Sequence, residues 1–188
     1  MSMSKVEVKG TGLISTRTYI KEKYSDNYDK WMYQIPEKSR DFYSGVIPTT
    51  NWFPVEDAYY YPLKTVADMF FDGDMKAAGL DIGRFSADYG LKGVYKVFLM
   101  IATPQALMRA SKRIIALYYK GVSVDIFDVQ KKSLVLEATQ VCEGKGDMDY
   151  RTIGWCVRAL ELANCKGVDY EIVQATKNDR FAIKLSWN

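Results

Sequence analysis

The C-terminal third of the chain alternates between two patterns of apolar residues. Four runs have the two-residue period of β-strands, whose side chains point to alternate faces of a sheet. These runs are residues 122–129, 134–141, 168–174 and 181–187. Between the second and third runs, Tyr150 to Cys165 has helical spacing, with an apolar stripe at Ile153, Val157 and Leu160. This order predicts two β-hairpins separated by one helix.

The first 120 residues are typical of helices and connecting loops. Helical spacing covers residues 13–24 and 104–118. A further helix is expected from Pro54 to Asp72, with a break or kink at Pro62 because proline cannot donate a backbone hydrogen bond. Asp74 is a candidate N-cap for the helix that follows.

Glycine and proline interrupt this helical part. Gly10 and Gly12 are expected to break the chain before its first helix. The segment Val46 to Pro54 contains two prolines and is expected to be a loop without regular structure. Gly90 to Gly93 predicts a boundary between two shorter helices, and the apolar run Val94 to Ala102 predicts a helix buried on several sides.

The order of these elements indicates an α+β fold. An N-terminal helical half, residues 1–120, precedes a ββ-α-ββ unit, residues 121–188, which is expected to form a four-stranded antiparallel sheet with helices packed against one face. The chain has 188 residues, of which 48% are apolar and 26% charged, as in ordinary globular proteins. We expect a single domain spanning residues 1–188.

Charge and hydropathy exclude several classes of protein. The net charge is +3 and the basic residues are scattered among acidic ones, so nucleic-acid binding has no support. No apolar run reaches the 18 or so residues that a membrane span needs. The N-terminus lacks an apolar signal region. These features predict a cytoplasmic protein without a membrane span.

The cysteine and histidine content limits the metal-binding and catalytic chemistry that this chain can carry out. The three cysteines, Cys142, Cys156 and Cys165, form no CxxC pair, and we expect reduced thiols whose individual roles the sequence does not assign. Histidine is absent, which removes the commonest general base and the commonest metal ligand. We therefore expect neither a metal site nor catalytic residues.

Short motifs around the central helix carry a resemblance to a known superfamily. They are a glycine-bearing loop at Gly144 and Gly146, the step Ile153-Gly154-Trp155, and the strand from Gly167 to Gln174. This part is similar to the superfamily that unites the four-vinyl-reductase-type domain, haem nitric-oxide sensors and transport-particle subunits of the Golgi. Lys9-Gly10 and Pro54 also resemble a bacterial family best known from myxobacteria.

The resemblance implies a ligand-binding or signalling domain, and the departures from it limit the ligand. Haem-binding relatives hold iron through a histidine, which this chain lacks. Relatives that sense phenols hold zinc with cysteines, where this chain has Asp149 and Gln174-Ala175. Golgi relatives bury an acyl chain attached to a cysteine that has no clear counterpart here. The resemblance therefore implies a module independent of haem, without a cofactor.

Aromatic side chains predict where a ligand would bind. The candidate site residues are Phe70, Tyr95, Phe98, Met108, Tyr118 and Trp155, which can converge between the helices and the sheet. Small-molecule pockets are commonly apolar with a few orienting hydroxyls. The same residues are equally compatible with a solid core. Gly154 is expected to permit close approach of the central helix and the sheet, so that Trp155 fills or lines the remaining space.

Two functions are compatible with these observations. The first is a non-enzymatic small-molecule-binding or sensory module with an apolar pocket, not dependent on haem, that takes an apolar molecule or an acyl chain. The second is a ligand-free interaction or scaffold module that acts as a homodimer through sheet edges and exposed tyrosines. An enzyme is not expected, because the sequence shows no catalytic constellation.

Overall fold

The computed structural model describes residues 6–91, 103–139, 146–177 and 179–188. Its helices, numbered along the chain, are α1 (Gly10–Lys23), α2 (Tyr28–Gln34), α3 (Glu37–Tyr43), α4 (Tyr61–Phe70), α5 (Met75–Gly90), α6 (Pro104–Tyr118) and α7 (Asp149–Leu162). Short 3₁₀ turns occur at Ser25–Asn27 and Gly146–Met148, and a π-helical turn at Glu56–Tyr60. The predicted bounds of α6 agree with the structure.

The strands form two antiparallel sheets. They are β1 (Glu7–Lys9), β2 (Trp52–Pro54), β3 (Tyr119–Lys120), β4 (Ser123–Phe127), β5 (Ser133–Thr139), β6 (Asp169–Lys177) and β7 (Arg180–Ser186). The larger sheet has the order β4-β5-β7-β6, and each neighbouring pair is antiparallel. The α+β fold class, with N-terminal helices before a ββ-α-ββ unit, is therefore confirmed.

The smaller sheet contradicts one prediction. Trp52–Pro54 pairs with β1, with Val8 opposite Phe53, so the expected loop from Val46 to Pro54 ends in a strand. Pro54 is tolerated because β2 is an edge strand in the order β2-β1-β3, where a missing backbone donor breaks no ladder. The sequence did not predict this strand, because three residues are too few to show the two-residue period of a β-strand.

The glycines at the start of α1 are also different from expectation. Gly10 and Gly12 lie inside the helix instead of breaking the chain before it. A Cβ atom on Gly10 would lie 2.0 Å from the Pro48 carbonyl oxygen, and one on Gly12 would lie 1.8 Å from the Tyr59 hydroxyl oxygen. Glycine is required at both positions because neighbouring groups fill the space of a side chain.

Asp74 caps a helix as predicted, whereas the helix expected from Pro54 does not begin there, because Pro54 belongs to β2. Pro62 lies in the first turn of α4, where its missing N–H removes no helical hydrogen bond, and a π-helical turn precedes it. The Asp74 carboxylate accepts hydrogen bonds from the backbone N–H groups of Lys76 and Ala77, which caps α5.

The end of the central helix α7 is set by asparagine and not by the predicted Gly167. Asn164 has φ 65°, and its N–H donates to the Glu161 carbonyl oxygen. The N–H of Cys165 donates to the Leu160 carbonyl oxygen at 3.0 Å. These two bonds form a Schellman motif, in which a left-handed residue satisfies the last carbonyls of a helix.

Helices α5 and α7 contact each other through their backbones. A Cβ on Gly83 would lie 2.2 Å from the Arg151 carbonyl oxygen, and one on Gly154 would lie 2.3 Å from the Leu80 carbonyl oxygen. Gly154 therefore permits close approach of two helices, and the expected approach of helix to sheet was wrong. This contact fixes the direction in which Arg151 and Trp155 project.

Buried apolar residues form two clusters. One joins the four-stranded sheet to α6 and α7 and includes Met108 and Phe181. The other cluster lies between the helices α1, α2, α3, α4 and α5 and the smaller sheet, and it includes Trp31 and Tyr43. Within the described ranges, no helix is both long and apolar enough to cross a membrane. The predicted helix from Val94 to Ala102 lies outside the described residues.

Candidate functional site

A cavity of about 390 Å³ lies where the two clusters meet. Its described walls come from α1, the turn before α4, the C-terminal ends of α5 and α6, the first strands of the larger sheet, and α7. The wall residues are Thr11, Gly12, Ser15, Tyr59, Ser86, Tyr89, Gly90, Leu91, Ile114, Ile115, Leu117, Tyr118, Tyr119, Val122, Val124, Ala138, Arg151, Thr152 and Trp155. Its volume is within the usual range for small-molecule sites.

The cavity walls are mainly apolar, and part of the rim faces solvent. Val124 and Ala138 are cross-strand neighbours on β4 and β5, and both are buried. Leu117 at the end of α6 is 55% exposed, and Tyr89 near the end of α5 is 36% exposed. Large apolar residues at the rim of a cavity are typical of an entrance for an apolar ligand.

Arg151 is the one charged side chain among the described wall residues. It is only 5% exposed. Its Nη2 atom donates hydrogen bonds to the Thr16 Oγ1 atom at 2.9 Å and to the Ser86 Oγ atom at 3.3 Å. Its Nη1 atom is buried and has no hydrogen-bond partner. A buried charged donor without a partner is costly, so this atom marks a place for an acceptor.

The Tyr59 ring supports the guanidinium group from one side. The guanidinium carbon of Arg151 lies 3.8 Å from the ring centroid, a distance at which a cation and an aromatic face attract. Burial raises the pKa of Tyr59, and the nearby charge of Arg151 only partly opposes this increase. The phenol is therefore neutral at pH 7 and supplies no negative charge to Arg151.

A second polar atom on the wall also lacks a partner. The Thr11 hydroxyl oxygen is buried and has no hydrogen-bond partner in the structure. Thr11 lies in the first turn of α1, between Gly10 and Gly12. Most buried polar atoms in folded proteins have a partner, so two exceptions on one cavity wall indicate that a bound molecule supplies the missing bonds.

The structure brings two of the predicted site residues together. Tyr118 and Trp155 both lie on the cavity wall. Met108 is fully buried in the core around the larger sheet and is not a wall residue. Phe70 is stacked on Tyr24 at a centroid distance of 3.8 Å in the other cluster. The remaining two predicted residues, Tyr95 and Phe98, lie outside the described residues.

The polar part of the site was missed by sequence reasoning. Arg151, Thr11 and Ser86 have no motif that distinguishes them from surface residues of the same type. Arg151 follows an acidic and a polar aromatic residue at the start of α7, where an exposed arginine is the usual expectation. Only the close contact of α5 and α7 shows that this arginine is buried.

Comparison with solved structures identifies proteins whose fold is similar to that of this chain. Similar structures include an H-NOX protein from S. oneidensis in the Fe(II)NO state, with TM-score 0.73 and 10% identity over 96% of this chain and 99% of that one. Another is the Fe(II) unliganded H-NOX protein from K. algicida, with TM-score 0.71, 13% identity and 96% of each chain covered. The fold is that of an H-NOX domain.

A third structure extends the comparison. It is an oxygen-binding H-NOX domain related to soluble guanylate cyclases, with TM-score 0.68 and 12% identity over 96% of this chain and 95% of that one. No protein-family model matches the chain, and no curated protein matches it. The four-vinyl-reductase-type and myxobacterial resemblances therefore stay predictions, while the likeness to haem nitric-oxide-binding domains is confirmed at the level of fold.

These comparisons correct the predicted function. The sequence implied a module independent of haem, with a ligand-free scaffold as the alternative. The predicted independence from haem is wrong, because the structures that share the H-NOX fold over nearly the whole chain are haem-binding domains. The prediction treated the missing histidine as decisive for the whole site, although histidine is one of several protein ligands for haem iron. The prediction of a sensory, ligand-binding module is not affected by this correction.

Proposed function

We propose that this chain is a sensory module that binds a small molecule in the cavity between its helical part and its four-stranded sheet. The observation that carries the proposal is the cavity itself: its walls are mainly apolar, and two buried polar atoms on them lack partners, one on Thr11 and one on the buried cation Arg151. Pockets of this composition bind ligands whose apolar body is buried and whose few polar atoms are oriented by the protein.

Haem is the prosthetic group that the fold implies, and the wall residues fit it in part. The apolar walls suit a porphyrin, and the unpartnered Nη1 atom of Arg151 suits an acidic substituent. Histidine ligation is excluded by the sequence, whereas tyrosine also serves as a haem ligand in proteins, and Tyr118 lies on the wall. A bound haem would supply an iron that binds diatomic gases.

The proposed role is binding without turnover. The sequence offers no histidine as a general base, and burial raises the pKa of the Cys156 thiol to about 12, which makes it a poor nucleophile. An acyl chain as the ligand, a homodimeric state and a cytoplasmic location belong to the same proposal. Light scattering of the purified protein across a range of concentrations tests the homodimer.

Gly90 offers a direct test that the cavity is the binding site. It is the last residue of α5 and lies on the wall, and among the described residues a Cβ there would meet only the Tyr118 hydroxyl oxygen, at 3.7 Å. The Gly90→Phe variant is expected to place a ring in the cavity and to abolish binding. The Gly90→Ala variant is the matched control, since its single methyl group leaves the cavity open.

Binding can be measured as the ligand-induced rise in Tm, since any molecule that binds only the native state stabilises it. Haemin and laurate are suitable probes of the two apolar ligand types. The proposal expects at least one of them to raise the Tm of the unmodified protein and of Gly90→Ala, but not that of Gly90→Phe. Equal Tm shifts in all three proteins, or none in any, would contradict it.

A further inference from the structure

The buried charge of Arg151 has no counter-charge among the described residues. Its Nη2 atom donates to two neutral hydroxyl groups, and its Nη1 atom donates to none. The other arginine of α7, Arg158, shows the contrast: it is paired with Asp88 and Glu161 at 3.0 Å. Burying a cation without an anion costs free energy, so an anion that binds beside Arg151 would be stabilised by its charge.

The described cavity wall contains no aspartate or glutamate. Glu143 is the single acidic residue outside the described ranges. All other acidic residues are described, and no ion pair joins any of them to Arg151. No described side chain therefore supplies a counter-charge to Arg151, which leaves its Nη1 atom available to an acid group of a ligand.

We propose that the ligand of this cavity carries an acid group that pairs with Arg151, while its apolar body lies against the wall formed by Trp155, Val124 and Ala138. This inference rests on the proposed function and specifies the chemistry of its ligand. The free hydrogens of Nη1 donate to the acid, and the unpartnered Thr11 hydroxyl is a second donor on the same wall. Guanidinium groups bind carboxylates strongly because both are planar and charged.

Recognition of the acid explains the arrangement around Arg151. The hydrogen bonds to Thr16 and Ser86 and the Tyr59 ring fix the guanidinium plane before any ligand arrives. A cation held in one orientation loses little side-chain entropy on binding, which favours affinity. The same groups are all neutral, so they orient Arg151 without satisfying its charge.

A comparison of acids with their methyl esters tests this inference on the unmodified protein. Laurate and methyl laurate share an aliphatic body, and haemin and its dimethyl ester share a porphyrin. We expect the acid of at least one pair to bind about tenfold more tightly than its ester, as befits a charge-assisted hydrogen bond. The pair that shows the difference identifies the source of the acid group, a lipid-like acid or a porphyrin.

Variants of the two α7 arginines assign the effect to a residue. Arg151→Met is expected to remove the preference for acid over ester, and Arg151→Lys is expected to restore part of it, because lysine keeps the charge and loses the planar fork. Arg158→Met is the matched control on the same helix and is expected to keep the full preference. Isothermal titration of each protein gives both affinities.

Several outcomes would overturn the inference, and they differ from failure of the proposed function. If acid and ester bind equally and Gly90→Phe blocks both, the cavity binds a ligand but Arg151 does not select its charge. If Glu143→Gln lowers the Tm and increases acid affinity, then Glu143 is the counter-ion of Arg151. If no probe binds the unmodified protein, both proposals fail together.

Discussion

The Arg151 guanidinium donates a hydrogen bond to the Thr16 hydroxyl at 2.9 Å, which joins residues that are 135 positions apart in the sequence. Thr16 is fully buried on α1, and its own hydroxyl donates to the Gly12 carbonyl oxygen at 3.2 Å. This contact connects the first helix of the chain to the central helix of the ββ-α-ββ unit at the cavity wall.

Replacing Thr16 with valine should therefore destabilise the fold. The change keeps the shape of the side chain but leaves a second guanidinium nitrogen of Arg151 with fewer acceptors, at a cost of about 1–3 kcal/mol. Thr16→Ser retains the hydroxyl and should lose less. Urea unfolding of both variants measures the difference; a valine variant as stable as the serine variant would show that the bond contributes nothing.

Alanine at Gly83 or at Gly154 should also destabilise the fold. A methyl group at either position would overlap the backbone carbonyl of the facing helix, so α5 and α7 would have to separate. We expect Gly83→Ala and Gly154→Ala each to lower the free energy of unfolding by at least about 1–3 kcal/mol. Gly90→Ala on α5 is the matched control: it has room for its methyl group and should be neutral or stabilising by up to about 1 kcal/mol.

Urea unfolding of the three variants measures these differences in the free energy of unfolding. Equal stability in all of them would contradict the close contact of α5 and α7.

The sequence predicted the larger sheet because its strands alternate over several residues each. Val124 and Ala138 lie opposite each other as the two-residue period requires. The smaller sheet could not be predicted, since its strands have two or three residues and pair across distant parts of the chain. Such pairing depends on tertiary contacts and leaves no periodic signal.

The candidate site was only partly predictable for a similar reason. Aromatic composition pointed to Tyr118 and Trp155, which lie on the cavity wall, but it equally selected Phe70, which packs elsewhere. Helical spacing identifies apolar stripes and gives no information about an isolated buried arginine. The burial of Arg151 depends on the absence of side chains at Gly83 and Gly154, a relation visible only in three dimensions.

Cys156 should resist alkylation in the native protein. It is fully buried in α7, and burial raises the pKa of its thiol to about 12, so almost no thiolate forms at neutral pH. Treatment with iodoacetamide at pH 8, followed by peptide mass spectrometry, should show labelling of Cys156 only after unfolding by urea. Native labelling at the rate of a free cysteine would contradict the buried position.

Asp149 predicts the pH dependence of stability. It is the first residue of α7, and the pKa of its carboxyl group is raised to about 6. Burial is the main cause of this increase, a hydrogen bond from the Thr176 hydroxyl opposes it, and the nearby Asp147 charge adds to it. In the unfolded chain the pKa returns to about 3.9. Between these values the folded state binds more protons than the unfolded state.

The free energy of unfolding should therefore decrease as the pH rises from about 4 to about 6, because the folded state must then bury a charge. Asp149→Asn keeps an acceptor for Thr176 and removes the charge, so it should stabilise the protein at pH 7 by about 1–3 kcal/mol and flatten this part of the profile. Asp147→Asn, at an exposed position two residues earlier, is the matched control and should leave most of the slope in place. Urea unfolding at a series of pH values measures all three proteins. A profile for the Asp149→Asn variant as steep as that of the unmodified protein would exclude Asp149 as the source of the slope.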